Sequence, residues 1–195
     1  MIRDSILAAS LRGEALDLRG VAVDGPLDLW GCTLGHLDLR GAVFGGPVDL
    51  RGSLLQGLAW FQGCRFAGGL DATGARFRRD ARFDDARFEA GCAFTGMDCQ
   101  GTATFDGARV DGAAAFDEAT VFGSLSFARA RFTGPVSLRN TECLGGLWCE
   151  DTVFSGALDL TGVEIHGRAW LRGVAARRPA ARLLDEMTVH GMAWV

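Results

Sequence analysis

The sequence of 195 residues predicts an all-β solenoid, because one short repeat dominates it and carries a regular apolar pattern. An eleven-residue unit begins at Ala81 and recurs eight times without a gap as far as Arg168. Its third and eighth residues are bulky or apolar, beginning with Phe83 and Phe88, and a small or apolar residue stands two positions before each. Self-similarity at a fixed period is the signature of a repeat architecture, and it outweighs local propensity.

Each apolar–x–apolar triplet predicts a very short strand whose two apolar side chains point to the same, inward side. A corner follows each triplet. The longer corner of every unit carries a glycine, at Gly101, Gly112, Gly123, Gly134, Gly145, Gly156 and Gly167. Glycine reaches positive φ at little cost, so we expect left-handed backbone at these corners.

Eleven residues could form a whole two-sided coil or half of a four-sided coil of twenty-two. The second interpretation is favoured because arginines recur at the doubled spacing while the alternate positions hold other residues. The recurring arginines are Arg65, Arg87, Arg109 and Arg131. About seven such coils would run from residue 16 to residue 172.

The triplets resemble those of the pentapeptide-repeat family over about residues 14–173. Ala86-Arg87-Phe88, Ala108-Arg109-Val110 and Ala130-Arg131-Phe132 carry this resemblance. It implies a right-handed quadrilateral β-helix in which residues i and i−2 of each repeat point inward. The chain departs from the family by one added residue in every second repeat, which we interpret as a wider corner on two of the four edges.

Three segments follow from the repeat. Residues 1–13 are predicted to hold a short cap helix, because Ile2 and Ile6 share one helical face and an open coil edge needs shielding. Residues 14–173 are the β-helix. Residues 174–195 are a C-terminal cap or dimerisation segment, in which Pro179 precedes a short helix.

The repeat is looser before Phe77. We place Trp60 among the inward bulky residues there, which gives two coils of twenty-one residues, then one of twenty-three with a bulge between Phe61 and Gly69. The mid-triplet residues Asp28, Asp49 and Asp71 are predicted to point outward and to stack.

Composition excludes several classes. With 48% hydrophobic residues and 13 Phe, the chain can fill a continuous core. No apolar run approaches the roughly 20 residues of a membrane span, and no export signal is recognisable, so we expect a cytoplasmic protein that binds no membrane. The six cysteines fall on inward positions and form no CxxC pair, which favours packing over metal binding.

No catalytic constellation, metal site or cofactor is expected. His36, His166 and His190 are scattered and share no column with another histidine or a cysteine. A catalytic site needs side chains that converge in a concave pocket, whereas a rod without loops offers flat or convex faces. We therefore predict that the protein is not an enzyme.

Negative charge is concentrated in residues 80–118, which hold nine acids and three arginines, a net charge of −6. At twenty-two residues per coil, Asp84 is predicted to stack on Asp106, and Glu89 on Asp111. These acids are either a solvated face or a stripe offered to a basic partner. The candidate partner-binding residues are Asp84, Asp85, Glu89, Asp106, Asp111, Asp117 and Glu118.

Trp148 and Trp170 lie twenty-two residues apart at mid-triplet positions and are predicted to be adjacent and outward. We expect residues 176–195, from this chain or a second copy, to cover them. The resemblance implies a homodimer through the C-terminal end. The residues assigned to this packing are Trp148, Trp170, Leu183, Leu184, Met187 and Trp194.

The fluoroquinolone-resistance branch of the family gives the sharper functional expectation. Its members are acidic, DNA-like dimeric rods that occupy the DNA-binding saddle of type II topoisomerases. The resemblance implies a non-enzymatic protein that binds DNA gyrase or topoisomerase IV rather than nucleic acid, and that inhibits or protects the enzyme. The alternative is a scaffold or regulatory protein–protein interaction module with no topoisomerase role.

Overall fold

The computed structural model describes residues 2–195 and is a parallel β-solenoid of about eight turns, which confirms the predicted fold class. Its strands are two or three residues long and form four parallel sheets. Each lap of the chain visits the sheets in the same order, so they are the first to fourth faces of a four-sided rod. The first corner joins the first and second faces, and the fourth corner leads from the fourth face back to the first.

The strands of each face are neighbours of equivalent strands one lap away. The first face consists of Leu16–Asp17, Leu37–Asp38, Ala59–Trp60, Ala81–Arg82, Ala103–Thr104, Ser124–Ser126, Gly146–Trp148, Arg168–Trp170 and Ala193–Trp194. The second consists of Ala22–Val23, Val43–Phe44, Arg65–Phe66, Arg87–Phe88, Arg109–Val110, Arg131–Phe132 and Val153–Phe154. The third consists of Leu27–Asp28, Val48–Asp49, Leu70–Asp71, Cys92–Ala93, Ala114–Ala115, Val136–Ser137 and Leu158–Asp159. The fourth consists of Thr33–Leu34, Leu54–Leu55, Arg76–Phe77, Asp98–Cys99, Thr120–Val121, Glu142–Cys143, Val163–Ile165 and Met187–Val189.

The register shows one lap of 21 residues, then a constant 22. Leu16 pairs with Leu37, whereas Leu37 pairs with Ala59 and Ala59 with Ala81. The predicted lap of twenty-three residues and its bulge are therefore wrong. The error was one residue: Phe61 is the inward side chain, 1% exposed, and Trp60 points outward. A shift of one residue in a strand moves a side chain to the opposite face.

Phenylalanine columns fill the core. Phe83 stacks on Phe61 with ring centroids 4.8 Å apart and on Phe105 at 5.0 Å, and Phe105 lies 5.5 Å from Phe127. Phe105 and Phe127 thus occupy neighbouring laps of one wall, as the 22-residue period requires. Each fully buried Phe contributes roughly 1.5–3 kcal/mol, and each ring pair adds about 0.5–1.5 kcal/mol. The continuous aromatic column therefore ties successive laps together.

The corner glycines differ from the prediction. Gly101 and the six glycines that follow it every eleven residues lack positive φ. They lie at the second and fourth corners, where laps approach closely: a Cβ on Gly156 would stand 2.1 Å from the carbonyl oxygen of Gly134. Left-handed backbone occurs instead at the first and third corners, also every eleven residues. It is adopted there by Asp85, Gly96, Gly107, Glu118, Arg129, Asn140, Asp151, Gly162 and Gly173.

Helical segments lie at both ends of the solenoid. The helix Ile2–Arg12 buries Ile6 and Ala9 against the first lap, and the hydroxyl of Ser10 accepts a hydrogen bond from the Gly35 amide at 3.0 Å. Near the other end, the helix Ala180–Leu183 and the 3-10 helix Leu184–Glu186 interrupt the last lap. The chain then returns to the fourth and first faces, so the last lap takes 24 residues from Val163 to Met187.

Candidate protein-interaction surfaces

The seven candidate acids do not form one stripe. Because the two-residue strands set each position on the coil, these acids fall on three different corners. Asp84, Asp85 and Asp106 lie at the first corner, Glu89 and Asp111 at the second, and Asp117 and Glu118 at the third. Stacking holds within corners, since the register places Asp84 beside Asp106, but a partner that contacts one flat face cannot contact all seven.

Neighbouring arginines neutralise part of this negative charge. Arg65 donates two hydrogen bonds to Glu89, both 2.9 Å long, and Arg87 lies 3.3 Å from the same carboxylate. The hydrogen bond from Arg65 holds the pKa of Glu89 below its usual range. Arg82 likewise donates to Asp84 at 3.0 Å. The arginine column of the second face thus lies beside the acids of its two corners.

Two more of the acids serve the fold. One carboxylate oxygen of Asp106 accepts hydrogen bonds from the Ser126 hydroxyl at 2.5 Å and from the Ala128 amide at 3.1 Å. Asp117 makes the equivalent contacts with the Ser137 hydroxyl and with the Arg139 amide, the latter at 2.8 Å. These carboxylates bridge adjacent laps. The exposed members of the set are Asp85, Asp111 and Glu118.

A column of three tryptophans stands on the first face near the C-terminal end. The rings of Trp148 and Trp170 stack with centroids 5.7 Å apart, and Trp194 extends the column at 5.0 Å from Trp170. All three are half-buried, because each ring shields its neighbour. The C-terminal segment therefore covers Trp170 edgewise through Trp194 and leaves an outward indole surface.

Further apolar side chains lie next to this column. Phe122 and Leu144 occupy equivalent positions at the fourth corner and are 49% and 36% exposed. Met192, just before the last strand of the first face, is 62% exposed. Together they make one apolar surface across the fourth corner and the first face. We call it the C-terminal patch, and it consists of Phe122, Leu144, Trp148, Trp170, Met192 and Trp194.

The other residues assigned to C-terminal packing face the core. Leu183 is 1% exposed and Met187 9% exposed, while Leu184 is partly buried against the same cluster. Within this chain they close the end of the solenoid. They offer little surface to a second copy.

The last lap also brings together groups that the sequence analysis separated. Ile165 pairs with Val189, so His166 and His190 occupy the same column, with ring centroids 4.8 Å apart. The expectation that no two histidines share a column is wrong. It failed because the helical insertion makes the last lap 24 residues long, and the twenty-two-residue period places His190 elsewhere. Glu164 lies beside these rings, and the three side chains form a group of potential metal ligands.

The cysteines pack as small apolar groups. Cys64, Cys92, Cys99, Cys143 and Cys149 are buried, Cys32 is half-buried, and all six are free thiols. Burial raises the pKa of the Cys99 thiol to about 11 and that of the Cys64 thiol to about 12. Thiolate chemistry is therefore suppressed in the core.

The faces are not uniformly flat. An open depression of about 660 Å³ crosses the third face, where Cys92, Ala93 and Ala115 present small side chains beside Gly69 and Gly91. Among residues 2–195, no helix has the length and apolar character needed to cross a membrane.

Comparison with known families agrees with this architecture. The family described as pentapeptide repeats (9 copies) matches residues 50–98 and 94–142, just under half of the chain. No curated protein matches the chain. Pentapeptide-repeat solenoids are generally structural or interaction proteins, and the match indicates no family of enzymes. The departures in this chain, a 22-residue lap and paired acids, leave the inward triplets intact: residues 50–142 belong to the pentapeptide-repeat family.

Proposed function

We propose that this protein is a non-catalytic interaction module that binds a second copy of itself through the C-terminal patch. The observation that carries the proposal is the grouping of exposed apolar side chains around one corner of the rod. Phe122, Leu144 and Met192 stand there beside three outward tryptophans. Contiguous apolar surface of this kind marks interaction sites, and Trp, Phe and Met are enriched in interfaces.

A second copy suits this surface for two reasons. A two-fold axis brings the same patch of both copies together, which is the commonest arrangement of homo-oligomers. In addition, the strands Met187–Val189 and Ala193–Trp194 have a neighbour on one side only among residues 2–195. Such edges offer unpaired backbone groups to another chain. Dimerisation would cover the apolar patch and this edge in one step.

Sedimentation velocity tests the proposal. The wild-type protein at micromolar concentration is expected to sediment as a dimer, and the double variant Phe122→Ser with Leu144→Ser as a monomer. The matched control is Trp30→Ser, since Trp30 is 67% exposed but lies near the opposite end of the rod. A monomeric wild type, or a double variant that stays dimeric, contradicts the proposal.

A second candidate function is binding to a type II topoisomerase as a mimic of DNA. It is favoured by the charge of −6 in residues 80–118 and opposed by the arginines that pair with Glu89 and Asp84. A basic DNA-binding surface would first meet the exposed acids Asp85, Asp111 and Glu118.

Gyrase supercoiling tests this candidate. Inhibition by the wild-type protein should weaken at higher salt and in the variant Asp85→Asn, Asp111→Asn, Glu118→Gln. Glu150→Gln, which removes a charge outside the seven acids, is the control. Supercoiling that is unchanged at micromolar protein excludes gyrase inhibition and leaves the interaction module.

A further inference from the structure

We propose that Glu164, His166 and His190 bind one zinc ion at the fourth corner of the last lap. Their ligand atoms all lie within 4.8 Å of one another. Glu142, one lap earlier, stands next to the group: its carboxylate oxygen lies 2.9 Å from Nε2 of His166. The same imidazole nitrogen is 3.9 Å from a carboxylate oxygen of Glu164. Two imidazoles and two carboxylates therefore converge on one point of the surface.

The solenoid fixes the backbone of these residues. The amide of His166 donates to the carbonyl of Cys143 at 2.9 Å, and the amide of His190 donates to the carbonyl of Ile165 at 2.8 Å. Glu142 pairs with Glu164 in the parallel register of the fourth face. The four side chains thus start from positions that the ladder sets. Only their exposed ends need to move when an ion binds.

The required adjustment is small. Zinc binds imidazole nitrogen at about 2.0–2.1 Å in tetrahedral geometry, which separates its ligand atoms by roughly 3.4 Å. The present separations bracket that value, from 2.9 Å for His166 and Glu142 to 3.9 Å for His166 and Glu164. The parallel imidazoles must tilt toward each other so that both nitrogens face the ion. Rotation about exposed side-chain bonds achieves this without disturbing the strands.

The donor set selects the metal class. Calcium and magnesium prefer sites built from oxygen ligands alone. Two imidazoles with carboxylates instead suit zinc and its neighbours in the first transition series. Glu142 would serve either as the fourth ligand or as the carboxylate that orients His166, a common partner of metal-bound histidine.

Zinc at this site would fasten the last lap to the solenoid. His190 follows the strand Met187–Val189, and the other candidate ligands lie on the two preceding laps. An ion shared between them resists the separation of the terminal strand. Binding to the folded state alone raises the unfolding temperature as free zinc increases.

Isothermal titration of the wild-type protein with zinc tests the site. We expect one ion per chain, at least a tenfold loss of affinity in His190→Ala and in Glu164→Gln, and no binding of magnesium. The melting temperature should rise with zinc in the wild type and not in His190→Ala. Both substitutions are at exposed positions, so the variants should fold like the wild type, which circular dichroism checks.

Two controls separate this site from other ligands. His36→Ala removes an exposed histidine near the opposite end, and Cys32→Ser removes the one cysteine that is not buried; both should bind zinc like the wild type. Absence of binding at 100 μM zinc overturns the proposal. Equal affinity in His190→Ala, or one ion per two chains with zinc-dependent association, also overturns it.

Discussion

A Cβ atom on Gly134 would lie 2.3 Å from the carbonyl oxygen of Gly112, its equivalent one lap earlier. The laps therefore meet so closely at the second and fourth corners that a larger residue does not fit. Glycine is required there because of contact between laps rather than because of φ. This distinction yields a direct test.

Gly134→Ala should lower the free energy of unfolding by about 2 kcal/mol, because the methyl group forces adjacent laps apart as overpacking does. Urea denaturation measures the loss. Gly25→Ala is the matched control, since a Cβ on Gly25 meets nothing within 4 Å and its φ is not positive. Equal stability of Gly134→Ala and the wild type would contradict the steric explanation.

Glu118 and Arg129 occupy left-handed backbone, with φ of 58° and 59°. This conformation costs a residue with a Cβ about 1–2 kcal/mol, whereas glycine loses roughly 0.5–1 kcal/mol of conformational freedom. Glu118→Gly and Arg129→Gly should each stabilise the fold by about 0.5–1 kcal/mol. Asn140→Gly, at φ 55°, should gain less, because asparagine tolerates this region. Thermal melts compare the three, and a loss of stability in both charged-residue variants refutes the prediction.

The thiols should differ in reactivity. Cys32 is half-buried, whereas the other five cysteines are buried and burial raises their pKa, to about 12 for Cys143. A chromogenic disulfide reagent at pH 8 should therefore titrate one thiol rapidly in the native protein and six after denaturation. The Cys32→Ser variant should lose the rapid phase. Rapid modification of several thiols in the native state would show that the core opens readily.

Stability should depend on pH through the Asp–Arg pairs of the outward columns. Arg51 donates to Asp49 at 3.0 and 2.6 Å and lowers the pKa of that carboxyl. A lowered folded-state pKa contributes stability that is present above the usual value of about 3.9 and lost as pH falls through the folded value. Arg51→Gln should raise the pKa of Asp49, observed by carboxyl NMR titration, and should reduce the stability lost between pH 5 and pH 2. An unchanged pKa would show that the pair is not formed in solution.

The sequence was sufficient for the repeat architecture, because the period of apolar residues determines which side chains point inward. The Phe columns and the stacked Asp28, Asp49 and Asp71 follow from that period alone. Trp60 was misplaced because two aromatic residues stand side by side, and bulk alone does not choose between them. The corner glycines were misinterpreted because sequence does not reveal the distance between laps.

The surfaces were less accessible to sequence reasoning. The acids were counted as a stripe because charge was summed along the chain, while corners distribute neighbouring residues around the rod. Arg65 and Glu89 pair across 24 positions of sequence, which a local count ignores. His166 and His190 meet only because the short helix before Met187 lengthens one lap. A helix that starts after Pro179 was expected, but its effect on the register was not.

The constant 22-residue offset makes the lap an interchangeable unit of length. Ala103 pairs with Leu125 and Ala81 with Ala103, so excision of residues 103–124 would bring Leu125 opposite Ala81 and leave each remaining side chain in its own column. Duplication of a lap would act in the same way. The span between the N-terminal helix and the tryptophans is therefore a quantity that gene rearrangement can adjust in whole steps, with no redesign of the interior.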